Sequence, residues 1–223
     1  MARGTMIKMK MSDGAEIGVY HVEAKGARRG GLVLIQEIFG VTEHIKELCD
    51  SYADEGYEVL GPALFDRETP GLQAGYSPED LQKAIKVARE LHPFDLSIKD
   101  TQSCIDALKG PVFITGYCYG GSVTWAAACR CTGLAAASGF YGSLIPALAG
   151  ETPKCPTILH FGRHDMGIPM EGVEKVIAAH PEVPVYIYDA GHGFNSDRQD
   201  HYNGAAAKLA KERTLELFRA NGG

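Results

Sequence analysis

PVFITGYCYGGSVTWAAACR, residues 111–130, changes character at its midpoint. Pro111 to Thr115 is a short run of apolar and β-branched residues, the pattern of a strand covered on both faces. Ser122 to Arg130 reads as a helix, and between the two stands Gly116-Tyr117-Cys118-Tyr119-Gly120-Gly121. Where a strand turns sharply into a helix, the two backbones come too close for side chains. Glycines therefore flank one strained residue whose side chain is left exposed at the corner. Serine commonly holds that corner in the pattern G-x-S-x-G; cysteine holds it here. The helix N-terminus just beyond offers unpaired N–H groups and a positive dipole end, which favour a thiolate and a developing oxyanion. Cys118 is a candidate nucleophile for acyl transfer, and the competing reading is an inert thiol in a Gly-rich turn.

Working outward, Gly31 to Gln36 (GLVLIQ) is another apolar strand, followed by helix-spaced apolar positions from His44 to Glu55. Tyr57 to Gly61 is the next strand, and the Pro- and Gly-containing stretch from Pro62 to Pro78 reads as a long loop of the kind that carries function. Ser77 is a plausible N-cap ahead of Pro78. Two helical stretches, Pro78 to Leu91 and Phe94 to Leu108, are separated by His92-Pro93 and are candidates for a cap over a cleft. Ala135 to Tyr141, Thr157 to Phe161 and Val185 to Tyr188 supply further strands, and Gly204 to Arg219 is an amphipathic helix. This alternation predicts βαβ crossovers and a mostly parallel central sheet with helices on both faces. Ile7 to Met11 and Glu16 to Val22, around Asp13-Gly14, add an N-terminal antiparallel hairpin at the sheet edge. No repeat or linker composition divides residues 1–223, so one α/β domain is expected.

In an open parallel sheet the chemistry gathers where loops leave the carboxyl ends of strands. A nucleophile on such an elbow is served by an acid and then a histidine, in that chain order. Asp165 follows the strand Thr157 to Phe161, and His192 follows Val185 to Tyr188. Asp165 would hold the imidazole tautomer, and His192 would take the thiol proton and later assist water. Each residue has a plainer reading, an Asp as turn former and a loop His as solvent-exposed. Their order and placement favour the triad. His164 and Asp189 are competitors that lack the right place in that order.

Composition narrows the classes. With 45% hydrophobic and 22% charged residues the chain has the profile of an ordinary globular protein. A formal charge of −6 gives no attraction for nucleic acid or anionic lipid. There is no apolar stretch of membrane-spanning length and no leader-like N-terminus, so the cytoplasm is the expected location. Six cysteines without regular spacing are expected to be reduced thiols, and Cys129 and Cys131 on a helical stretch point apart rather than to a shared metal. A metal-dependent hydrolase using His160, His164, Asp165 and His192 has suitable atoms but lacks a local ligand motif.

The strand ending in Gln36-Glu37-Ile38-Phe39-Gly40, the GYCYGG turn at 116–121, HFGRHD at 160–165 and AGHGF at 190–194 together resemble the dienelactone hydrolase family over nearly the whole chain. The resemblance implies an α/β-hydrolase fold, no cofactor or metal, and a Cys118-His192-Asp165 triad with Glu37 beside the thiol. It further implies oxyanion contacts from the N–H groups of Ile38 and Tyr119, and aromatic packing on substrate by Phe39 and Tyr141. A carboxylate near a thiol can accept its proton once substrate breaks the carboxylate's other contacts. The family's substrate-binding arginines fall near Ala84 and at Ser196, with Lys83, Lys86, Arg89 and Arg198 close enough to substitute. The expected activity is hydrolysis of small esters or lactones through a thioester, since a compact chain with one cap leaves little room for a long acyl tail. A promiscuous carboxylesterase or thioesterase is the enzymatic alternative, and a non-catalytic ligand-binding protein the non-enzymatic one. A small-molecule ester or lactone is the expected partner, in a monomer or small homo-oligomer.

Overall fold

The computed structural model describes residues 3–223. Among the described residues eight strands form one sheet in the order β1-β2-β4-β3-β5-β6-β7-β8. They are β1 (Thr5–Lys10), β2 (Glu16–Val22), β3 (Gly30–Ile35), β4 (Tyr57–Pro62), β5 (Val112–Tyr117), β6 (Leu134–Phe140), β7 (Thr157–Gly162) and β8 (Val185–Tyr188). β1 and β2 pair antiparallel at one edge and β2 pairs antiparallel with β4, while every pairing from β4 to β8 is parallel. This is the mostly parallel sheet with an N-terminal hairpin that the alternating elements predict, and the α/β-hydrolase architecture that the resemblance implies.

Among the described residues six α-helices accompany the sheet: α1 (Glu43–Ala53), α2 (Pro78–Lys86), α3 (Phe94–Ala107), α4 (Tyr119–Arg130), α5 (Met170–Ala179) and α6 (Gly204–Ala220). The period of two in β3 assigns its side chains to two cores. Leu32 and Leu34 join Ile45 and Tyr52 of α1 and Phe218 of α6. Val33 and Ile35 join Ile98 and Ile105 of α3 and Val123 and Ala127 of α4. Because both faces are covered, all of β3 and β5 is buried.

Two expectations need correction. The helix read over Pro78 to Leu91 is capped by Ser77 as expected, but α2 ends at Lys86 and the chain widens into a π-turn over Val87–Leu91. The His92 N–H reaches back five residues to the Val87 carbonyl, and Pro93, which has no N–H, follows. The second stretch, α3, does not belong to a cap. Its Ile98, Cys104 and Ile105 are buried in the core against the sheet.

The loop between β4 and α2 is fixed from within by Arg67. Its guanidinium binds Asp13 at 2.8 Å on the hairpin turn and both carboxylate oxygens of Asp100 on α3. The Asp100 side chain is only 1% exposed, and burial raises its pKa despite the guanidinium. Removing the arginine leaves a buried carboxylate without its partner, an expensive state. Arg67→Met is expected to lower the unfolding free energy by about 3 kcal/mol in chemical denaturation. A loss below about 1 kcal/mol would mean that Asp100 does not depend on this pair.

Candidate active site

The site lies along the carboxyl edge of five adjacent strands. β3 delivers Glu37 to Phe39, β5 delivers Cys118, β6 Tyr141, β7 Asp165 and β8 His192. The elbow between β5 and α4 is as tight as its glycines require. A Cβ on Gly120 would stand 2.4 Å from the Ile35 carbonyl oxygen, and one on Gly121 would stand 2.1 Å from that of Phe140. Cys118 takes up the strain with φ 57° and ψ −115°, a region costly for a side-chain-bearing residue, and its sulfur is partly exposed.

The three residues read as a triad meet. His192 Nε2 lies 3.2 Å from Cys118 Sγ, and Nδ1 lies 2.7 Å from Asp165 Oδ2. Asp165 is itself oriented by the Gly167 N–H, which donates to Oδ1 at 2.8 Å. Burial works against a charged imidazole here, but the hydrogen bonds to Asp165 and Cys118 and their charges outweigh it, raising His192 to about 10. The competitors pair elsewhere: His164 Nε2 and Asp189 Oδ1 meet at 2.6 Å on the exposed surface. His160 is buried between the Tyr188 and Ser138 hydroxyls, so these histidines do not converge with Asp165 and His192 as the metal reading required.

Glu37 is fully buried, and its contacts are with neither the sulfur nor an arginine. The Tyr76 hydroxyl donates at 3.5 Å and the Gln199 amide at 3.4 Å, both long. Burial with so little compensation raises its pKa to about 7, against a lesser pull downward from the His192 charge and Tyr76. Tyr76 and Gln199 escaped the sequence reading because neither sits in a motif and Gln199 is 162 residues from Glu37.

The Ile38 and Tyr119 amides donate to no acceptor among the described residues, and both residues line the cavity that holds Cys118 and His192. Phe39 also lines it. Tyr141 does not: its ring is fully buried, edge-on to the His192 imidazole at a centroid distance of 5.2 Å, with φ 36°. Its place is behind the imidazole rather than against substrate, which corrects the aromatic contact expected of it.

The cavity volume is about 1180 Å³, at the large end for a small-molecule site, so the expected lack of room is also corrected. Its apolar wall includes Leu81 and Ile85 of α2, Leu91 of the π-turn, Phe94 and Leu144. Of the four basic residues considered as substitutes, Arg89 and Arg198 reach this wall, whereas Lys83 pairs with Glu79 outside it. Arg198 is already engaged by Glu47 at 2.7 Å and by Asp197. Ala84 and Ser196 are both buried.

A family model described as "Dienelactone hydrolase family" matches residues 17–222. A Salmonella typhimurium protein described as "Putative carboxymethylenebutenolidase" is 33% identical over 232 residues, covering 95% of this chain and 86% of its own. A Synechocystis protein of the same description is 32% identical over 209 residues, with 84% and 85% covered. Among solved structures, a "Putative Dienelactone Hydrolase" from Klebsiella pneumoniae superposes with a TM-score of 0.83 at 26% identity, covering 97% of this chain and 98% of that one.

The two shifted groups make folding stability depend on pH in one direction. Glu37, an acid held above its ordinary value of 4.5, binds more protons folded than unfolded, so its share falls as pH rises from about 4.5 to 7. His192, a base held above its ordinary 6.5, contributes fully below that value and loses its share as pH rises to about 10. Glu37→Gln is expected to flatten denaturation midpoints between pH 4.5 and 7 and leave the fall above 7 in place. An unchanged slope in the acid window would show that the buried carboxyl titrates normally.

Proposed function

This chain belongs to the dienelactone hydrolase family and is a carboxylic ester hydrolase, and from that premise we propose that Cys118 is its nucleophile and that esters or lactones pass through a thioester on its sulfur. The observation that carries the reading is the Asp165-His192-Cys118 chain of 2.7 Å and 3.2 Å contacts at a strained elbow open to the cavity. An imidazolium facing the sulfur is the setting in which cysteine attacks as a thiolate.

The steps follow from the groups present. Sγ attacks the carbonyl carbon, the carbonyl π pair moves onto oxygen, and that oxyanion lies against the Ile38 and Tyr119 amides. The intermediate collapses to the thioester as His192 Nε2 gives its proton to the departing alkoxide; in a lactone that alkoxide remains tethered to the acyl group. Water then attacks the thioester with His192 as base, and the acid leaves as the thiolate re-forms. Asp165 keeps Nε2 facing the sulfur throughout. Glu37 is a second proton acceptor beside this pair: substrate that displaces Gln199 or Tyr76 leaves its carboxylate free to take a thiol proton.

The cavity favours the carboxylesterase side of this reading. A large, mainly apolar wall suits an ester with a bulky apolar group; Arg198 is already held by two carboxylates, which leaves Arg89 at the rim as the arginine without an ion-pair partner among the described residues. Neutral aryl esters are expected to surpass a carboxylate-bearing enol lactone by about tenfold or more in kcat/KM. The reverse order would favour a small carboxylate-bearing lactone instead. Cys118→Ala is expected to lose at least about 10³-fold in turnover of either class. Mass spectrometry of protein quenched during turnover should find the acyl group on Cys118; full activity of the alanine variant would remove the mechanism.

A further inference from the structure

We propose that Glu68, His92, Ser97 and the Tyr119 hydroxyl form a positioning relay that aims the Tyr119 amide at the reacting carbonyl oxygen. The proposal rests on the oxyanion role given to that amide above.

Four polar groups are linked by three short contacts. Tyr119 Oη and Ser97 Oγ lie 2.8 Å apart, Ser97 Oγ and His92 Nε2 lie 2.9 Å apart, and His92 Nδ1 lies 2.8 Å from Glu68 Oε2. The Ser-His-Glu portion has the spacing of a hydrolytic triad. Ser97 is nonetheless fully buried, and its oxygen is already engaged on both sides, so it is no nucleophile. The Ser97 and Tyr119 hydroxyls can each donate or accept, so every member of the chain has a partner whichever way its protons point. Burial pushes the Tyr119 phenol up to about 12, so it keeps its proton.

The relay gathers distant parts of the fold. Glu68 lies in the loop after β4, His92 closes the π-turn over the cavity, and Ser97 is on α3. All three converge on the first residue of α4, the one after Cys118. The Tyr119 ring is also wedged between Phe65 and Phe94, at centroid distances of 5.2 and 5.9 Å. With ring and hydroxyl both fixed, the Tyr119 backbone has little freedom to rotate, and its unpaired N–H keeps one direction. His92, Phe94 and Tyr119 also line the cavity, so substrate rests on the wall that the relay braces.

The test uses the full chain with Tyr119→Phe, which removes one oxygen and keeps the ring, and Ser97→Ala beside it. Four measurements are made: kcat and KM on phenyl acetate, affinity for an aryl trifluoromethyl ketone that adds to the sulfur, Cys118 alkylation by iodoacetamide, and the thermal midpoint. Ketone addition creates an oxyanion and alkylation does not. In Tyr119→Phe, kcat and ketone affinity are expected to fall together by about tenfold, less than loss of an oxyanion donor, with KM and alkylation within about twofold of the parent. Unchanged kcat and ketone affinity in a folded Tyr119→Phe would overturn the relay. So would alkylation falling in step with kcat, since that would mean general damage to the elbow. If Ser97→Ala does not fold, the phenylalanine variant decides alone. Full turnover by Cys118→Ala, with no ketone adduct on the parent, would defeat the nucleophile assignment and the relay with it; a negative result confined to Tyr119→Phe defeats only the relay.

Discussion

The contact between the elbow backbone and its two neighbouring strands constrains everything else in this molecule. Gly120 approaches the carbonyl of Ile35 at the end of β3, and Gly121 approaches that of Phe140 at the end of β6. No side chain fits at either point, so α4 starts against the sheet and Cys118 is forced to φ 57°. Such a conformation costs on the order of 1–3 kcal/mol and persists only because the packing around it allows no other. The same proximity puts the ends of β3 and β6 beside the sulfur, which is why Ile38 and Tyr141 belong to its surroundings. Tyr141, at φ 36°, is the second residue with a side chain held in the left-handed region.

Around that corner the electrostatics are arranged in depth. Asp165 is held by an amide and holds the imidazole; the imidazole faces the sulfur; Glu37 lies buried nearby with two long, weak contacts. The well-satisfied carboxylate orients, whereas the poorly satisfied one sits near neutrality and can exchange a proton cheaply. Two acids in one site thus differ in environment, because one receives two short hydrogen bonds and the other only long ones. Carboxylates separated by environment in this manner are a common means of dividing roles within a site.

What could be read in the sequence was what the backbone imposes locally. The elbow glycines, the apolar run from Gly31 to Gln36, and an Asp and a His each just past a strand are signals that each occupy a few consecutive residues, and each has a steric or topological cause. Ser77 before Pro78 was legible for the same reason. What escaped depended on packing between distant segments. Glu68 and His92 are 24 residues apart and Ser97 and Tyr119 are 22 apart, with no pattern to announce the pairing. The place of α3 against the sheet is present in the spacing of Ile98, Cys104 and Ile105, but the same spacing would suit a helix packed on a cap. Cavity volume follows from how far α2 and the π-turn stand off the sheet, and no residue type encodes that distance. The left-handed Tyr141 has no local signature, since an asparagine or glycine would ordinarily be expected there.

The cysteines bear on how this protein meets reactive chemicals. Cys49, Cys104, Cys129 and Cys131 are buried, and burial raises each thiol well above its ordinary value; Cys155, half-buried, is raised as well. Cys118 alone among the six combines an opening to the cavity with a histidine partner. Electrophiles and oxidants therefore sort the six sulfurs by access and by the group beside each. With Cys118 as the proposed nucleophile, injury by a low dose would fall on the one sulfur that turnover requires and leave the framework whole.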